Sequence, residues 1–278
     1  MKRCALVLLF ALLFCVGCSE DKDPAEPTPT TAPEPSPTAE PSPTETPAPT
    51  ETPTPTPTEA AMKEWDTSNV DTSWIDPNKK LVAFTFDDGP SQYYDDLLDI
   101  LKENGMHATF FVWGKNYNSS YEEVMKRVVA EGCEFGNHTW SHPYLSKLDE
   151  AGIAEEVEKT RALLEELTGI QNFLVRPPYG DSNLKVQMSV NAPMINWSVD
   201  SADWNNGSYE SVYQNVMSKV QDGDIVLMHA SYAYTVEAVR TMIPELIADG
   251  YQIVSVSELA AVRGKTLTAG HAPYTNLR

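Results

Sequence analysis

The most reactive combination in this 278-residue chain is two adjacent carboxylates and two imidazoles. Asp87 and Asp88 stand in Thr85-Phe86-Asp87-Asp88-Gly89-Pro90, and His138 and His142 in His138-Thr139-Trp140-Ser141-His142. Neighbouring carboxylates repel and raise each other's pKa unless a cation intervenes. A divalent ion held by Asp88 would leave Asp87 ionised and able to accept a proton. The i, i+4 spacing of His138 and His142 puts both on one face of a helical turn, which suits a shared metal, and Pro143 limits that helix to a single turn. Three ligands and one spare proton acceptor make a minimal set for metal-assisted hydrolysis. Asp-Asp-Gly-Pro is also good turn chemistry, so this pair alone leaves a plain turn open. His107 and His271 are expected to carry no chemistry.

Alternating strands and helices must position these groups. Strands are expected over 81–86 (ending at Asp87), 108–112, 134–137, 173–175, 194–199, 225–228 (ending at His229) and 252–256. Between them the apolar spacing predicts helices over 92–104, 121–131, 149–167, 209–220 and 236–248, several closed by Gly105, Gly132 or Gly169. This βα alternation implies a parallel sheet, either a barrel or an open sheet. Asp87, Asp88, His138, Arg176, Asp200 and His229 all fall at or just past strand C-termini. Contributions from five strands favour a barrel, whose strand ends converge on one face.

Further candidates lie at those ends. Arg176, in Arg176-Pro177-Pro178-Tyr179-Gly180, can hold a carboxylate in place and ionised, and the two prolines fix an irregular turn whose amides can face the cavity. His229 beside a carboxylate suits a general acid with a raised pKa. Trp204 and Leu227 could wall a small apolar pocket. Cys133 stands just before a strand and reads as a buried, inert thiol.

In order and spacing, these three segments, together with Asp200-Ser201-Ala202-Asp203-Trp204 and Leu227-Met228-His229, resemble the polysaccharide deacetylase family, also called NodB-homology or carbohydrate esterase family 4, over about residues 81–262. The resemblance implies a distorted (β/α)7 barrel of the α/β class. It implies Asp87 as catalytic base, Asp88, His138 and His142 as ligands of one divalent metal, and Arg176 as the group orienting Asp87. The backbone amide of Tyr179 would stabilise an oxyanion. His229 would be the general acid with Asp203 as its partner, and Trp204 and Leu227 would hold an acetyl methyl. Zinc suits the ligand set, with cobalt, nickel or iron as alternatives. The implied reaction is removal of N-acetyl groups from a polysaccharide containing N-acetylglucosamine, peptidoglycan foremost, with release of acetate. Two alternatives remain: an O-acetyl xylan esterase using the same site, and a non-catalytic sugar-binding lipoprotein.

Composition supplies a location. Met1-Lys2-Arg3 and the apolar run to Gly17 read as a secretory signal (1–17), too short for an ordinary membrane span. Cys15-Val16-Gly17-Cys18 resembles a bacterial lipobox, which implies lipidation of Cys18 and attachment to the outer face of the cell membrane. Residues 18–61 hold 13 of the 21 prolines and scarcely any large apolar side chain, so they are expected to form a disordered Pro/Thr/Glu-rich linker. At about 3.1 Å per residue in polyproline II, this linker reaches on the order of 100 Å. The remaining 217 residues (62–278) suit one domain and are expected to be a monomer. The chain carries a net charge of −20, and residues 62–278 hold 17 basic against 31 acidic residues. Such a surface argues against nucleic acid as partner, while a neutral glycan meets no penalty.

Overall fold

A computed structural model describes residues 64–278, Asn206 excepted. The signal (1–17), Cys18 and the linker (18–61) lie outside the described residues. The strands are β1 (Lys80–Gly89), β2 (Thr109–Val112), β3 (Glu134–Asn137), β4 (Leu174–Val175), β5 (Val199–Asp200), β6 (Ile225–His229) and β7 (Tyr251–Val254). The helices are α1 (Tyr94–Glu103), α2 (Glu122–Ala130), α3 (Glu150–Thr168), α4 (Leu184–Ser189), α5 (Tyr209–Met217), α6 (Ala233–Ala248) and α7 (Val256–Val262). The sheet is parallel and ordered β4-β3-β2-β1-β6-β5, with β7 pairing the first half of β1.

Strand β1 is the axis of this arrangement. Its apolar run is buried on both faces, as a parallel sheet covered by helices requires. Strand alternation divides it: Val82, Phe84 and Phe86 pack with Leu97, Leu101 and Met242 of α1 and α6, while Leu81 and Ala83 face Phe111, Leu174 and Ile195 inside the sheet's curve. Val256, Leu259 and Ala260 of α7 join that inner cluster and close it at the strands' N-terminal end. The C-terminal end stays open, and there the polar residues gather.

The sheet closes through the segment expected as one strand over 194–199. Ile195 N donates to Val175 O at 2.9 Å on one side, and Ser201 N donates to Leu227 O at 3.1 Å on the other. The segment changes partner midway, so only Val199–Asp200 pairs as regular strand and Met194 forms an isolated bridge with Val175. This switch is the distortion of the barrel. β1 also runs on to Gly89 instead of ending at Asp87. The last strand ends at Val254, because Ser255 caps α7 by accepting from Glu258 N. α4 and α7 have too few residues for a legible apolar period, and neither was expected.

Candidate active site

Inward alternation from Leu81 and Ala83 brings Thr85 and Asp87 to the inner face at the open end. Asp88 should then point away. It does not, because its backbone is left-handed (φ 66°) and the β1–β2 register shifts between Phe86 and Gly89. Asn116 Nδ2 donates to Asp88 O at 2.9 Å and holds this turn. Both carboxylates therefore face one cavity.

The two histidines reach it differently from the expectation. Residues 138–142 form no helical turn. Thr139 and His142 both take positive φ (68° and 61°), and the loop is tied by Thr139 N to Asn137 Oδ1 at 2.8 Å and His142 N to Thr139 Oγ1 at 3.2 Å. Glu156 on α3 accepts from Trp140 N (3.0 Å) and Ser141 N (2.7 Å), replacing the hydrogen bonds a helix would supply. The rings still converge: His138 Nε2 and His142 Nε2 are 3.2 Å apart, and they lie 3.6 and 3.4 Å from Asp88 Oδ1.

This donor set fits a divalent metal. One atom each from Asp88, His138 and His142 lie within 4.8 Å of one another. Asp88 Oδ1 is buried and has no hydrogen-bond partner among the described residues. His138 Nδ1 is 2.7 Å from Arg176 O, an acceptor only, so Nδ1 carries the hydrogen and the Nε2 lone pair is free. Burial lowers the pKa of both histidines and favours the neutral, ligating imidazole. Burial also raises that of Asp88, against the opposing pull of His138 and His229, which is the strain a cation would relieve.

Asp87 is held apart from the triad. Arg176 Nη1 donates to Asp87 Oδ1 at 2.7 Å and to Thr85 Oγ1 at 2.6 Å. The other Asp87 oxygen, Oδ2, is 3.6 Å from His138 Nε2 and faces the cavity. Opposite stands His229, in register with Asp87 across β1 and β6. Its Nδ1 is 2.7 Å from Asp203 Oδ1 and its Nε2 is 4.0 Å from Asp88 Oδ2. Asp203 is fully buried and also accepts from His229 N (2.7 Å) and Thr235 Oγ1 (2.8 Å). Burial opposes a charge on His229, but the hydrogen bond and charge of Asp203, with Asp87 and Asp88 beyond, outweigh it and raise its pKa to about 9.

The remaining candidates lie at the rim. Tyr179 has a left-handed backbone (φ 61°) and is 56% exposed. Leu227 is buried in β6, whereas Trp204 beside Asp203 is 54% exposed and belongs to no buried apolar cluster. Thr85, Asn116 and Glu156 were not foreseen, since each acts on a residue distant in sequence. His107 pairs with Glu258 at 2.7 Å and His271 stacks on Tyr274, both away from the site.

The sequence model of the polysaccharide deacetylase family matches residues 75–194. A peptidoglycan-N-acetylglucosamine deacetylase of Bacillus cereus is 35% identical over 190 residues, which cover 66% of this chain and 69% of that protein. The chain belongs to the polysaccharide deacetylase family. Another relative, a peptidoglycan-N-acetylmuramic acid deacetylase of Bacillus subtilis, is 37% identical over 190 residues, 68% of this chain but only 40% of that longer protein. The chain thus spans about two fifths of that curated relative. Among solved structures of the family, a family 4 acetyl xylan esterase from Clostridium thermocellum in complex with a cobalt ion superposes with a TM-score of 0.67 at 30% identity. That match covers 71% of this chain and 98% of the esterase.

Proposed function

We propose that this protein is a metal-dependent hydrolase that removes N-acetyl groups from a polysaccharide containing N-acetylglucosamine, peptidoglycan foremost, and releases acetate. The observation that carries the reading is Asp87 Oδ2, a buried carboxylate oxygen beside the donor set yet tied by Arg176 through its other oxygen. A binding protein has no use for such a group. Asp88, His138 and His142 would hold the ion, zinc in the first instance. When bound, it supplies Lewis acidity, polarising the acetyl carbonyl and making water easier to deprotonate. Asp87 accepts the proton of the attacking water, and Arg176 holds its carboxylate in place. The Tyr179 amide donates to the developing oxyanion. His229, kept protonated by Asp203, gives its proton to the departing sugar nitrogen. Leu227 and Trp204 flank the acetyl methyl.

The test is acetate release from N-acetylglucosamine oligomers and from cell wall by purified protein, with and without chelator. We expect activity that chelation abolishes and added zinc restores. Asp87→Asn should lose activity while still binding metal; an active Asp87→Asn protein would sink the mechanism. The similarity to an acetyl xylan esterase supports a second reading, O-deacetylation of xylan by the same residues. Faster turnover of acetylxylan than of N-acetylglucosamine oligomers would select it.

We also propose that Cys18 is lipidated after removal of residues 1–17 and that the linker carries a monomeric catalytic domain from the outer face of the membrane toward the wall. Mass spectrometry of the mature N-terminal peptide and light scattering of the soluble domain test these points. An unmodified Cys18 within a retained signal would refute the anchor.

A further inference from the structure

His142 points one nitrogen into the site and is held by the other. Its Nε2 faces Asp88 and His138, while Nδ1 lies 3.2 Å from the Tyr179 hydroxyl. That hydroxyl also donates to His142 O at 3.4 Å. A phenol has one proton to give. With the proton directed at the carbonyl, the oxygen can only accept from Nδ1. In that arrangement Nδ1 carries hydrogen and the Nε2 lone pair is left for a cation.

An exposed tyrosine would ordinarily be too mobile to enforce this. Tyr179 is not free. Its ring stacks on Tyr144 with centroids 4.1 Å apart and planes 15° from parallel. Since that face of Tyr144 is taken, Lys147 Nζ, 4.3 Å from the Tyr144 centroid, must cover the other. Tyr179 meets the His142 ring edge-on at 4.7 Å, and its left-handed backbone sits between Pro177-Pro178 and Gly180. The contrast with His138 matters. Its Nδ1 is held by a backbone carbonyl, which no substitution removes, so of the two histidines His142 is the one whose ring is supported by a side chain.

We infer that the Tyr179 side chain is a positioning residue for the metal centre, orienting His142 and fixing its tautomer, with Tyr144 and Lys147 as the clamp that keeps it there. The inference rests on reading Asp88, His138 and His142 as metal ligands, not on the substrate. It also gives Tyr179 two separable duties, since the proposed oxyanion contact uses only its backbone.

The test is cobalt(II) titration of the full chain against a competing chelator, together with the visible absorption of the bound cobalt, for the parent, Tyr179→Phe and Tyr144→Leu. Tyr179→Phe deletes one oxygen and keeps the backbone amide. Loss of such an outer partner weakens metal affinity by about 10–100-fold. We expect that loss and an altered cobalt spectrum in Tyr179→Phe, with a smaller shift in the same direction in Tyr144→Leu. Unfolding temperatures of the metal-free proteins should match, because both rings are exposed. Parent-like affinity and spectrum in Tyr179→Phe overturns the inference. A parent that binds no cobalt overturns the metal reading itself, and acetate assays on the same samples separate that from a wrong substrate.

Discussion

Arg176 Nη1 and Asp87 Oδ1 form a buried 2.7 Å ion pair. The guanidinium also donates to Thr85 Oγ1, to Ile195 O at 3.2 Å and to Asn196 O at 3.0 Å, and lies over the Phe111 ring. It thus ties β1 to the segment that closes the barrel. Arg176→Met should cost about 3–5 kcal/mol of stability, the usual penalty for stranding one member of a buried pair. Arg176→Lys keeps the charge but loses the fork, so it should fall between. Urea unfolding checks this; a parent-like midpoint for Arg176→Met would show the pair to be structurally dispensable.

Gly89→Ala should disturb the site from behind. A Cβ there would sit 1.8 Å from Tyr94 Oη and 2.2 Å from its Cζ. Tyr94 is fully buried against Phe110 and has nowhere to move. Overpacking of this kind costs about 1–3 kcal/mol or more. It would also push the turn that carries Asp88, so metal affinity should fall along with the unfolding temperature. Removing only the hydroxyl should not rescue it: Gly89→Ala with Tyr94→Phe should remain destabilised, because ring carbons stay in the way. Full recovery in that double variant would refute the clash.

These two cases show which parts of the site can be read in sequence. Asp87, Asp88, Arg176 and His229 were legible because each lies at or next to the C-terminal end of a strand whose apolar run announces it. Helix ends at Gly105, Gly132 and Gly169 were legible for a local reason, a glycine taking positive φ. The conformation of 138–142 was not. The i, i+4 spacing suggested a helix, but Glu156, far along the chain, supplies the hydrogen bonds that favour a different loop. Asp88 likewise defies strand alternation through one left-handed residue that only the tertiary register reveals. The closing segment read as one strand because a change of pairing partner leaves no mark on apolar spacing.

Cys133 should be unreactive in the folded protein. It is 7% exposed, and burial pushes its thiol pKa up to about 12, so almost none is thiolate near neutral pH. An aromatic disulfide reagent at pH 8 should label it only after denaturation, at the rate of unfolding. Rapid labelling of native protein would contradict the packing of β3.

The pH profile should report His229. The group acts as an acid, so it must be protonated, and its pKa near 9 keeps it so through neutral pH. kcat/KM on an acetamide substrate should therefore fall on the alkaline side, with a limb at or below about 9 once metal is bound. Burial alone would lower this pKa; the hydrogen bond and charge of Asp203 are the main opposing contributions. Asp203→Asn removes that charge, so the descending limb should move to lower pH and activity at mildly alkaline pH should drop. A bound cation cancels part of the negative charge of Asp87 and Asp88 and shifts the limb in the same direction, so parent and variant must be compared with metal loaded. His229→Ala should cost about 10²–10⁴-fold on the acetamide. An aryl acetate, whose leaving group needs no proton, should show neither that loss nor the alkaline limb. An equal loss on both substrates would mean that His229 serves binding or structure and that the acid lies elsewhere.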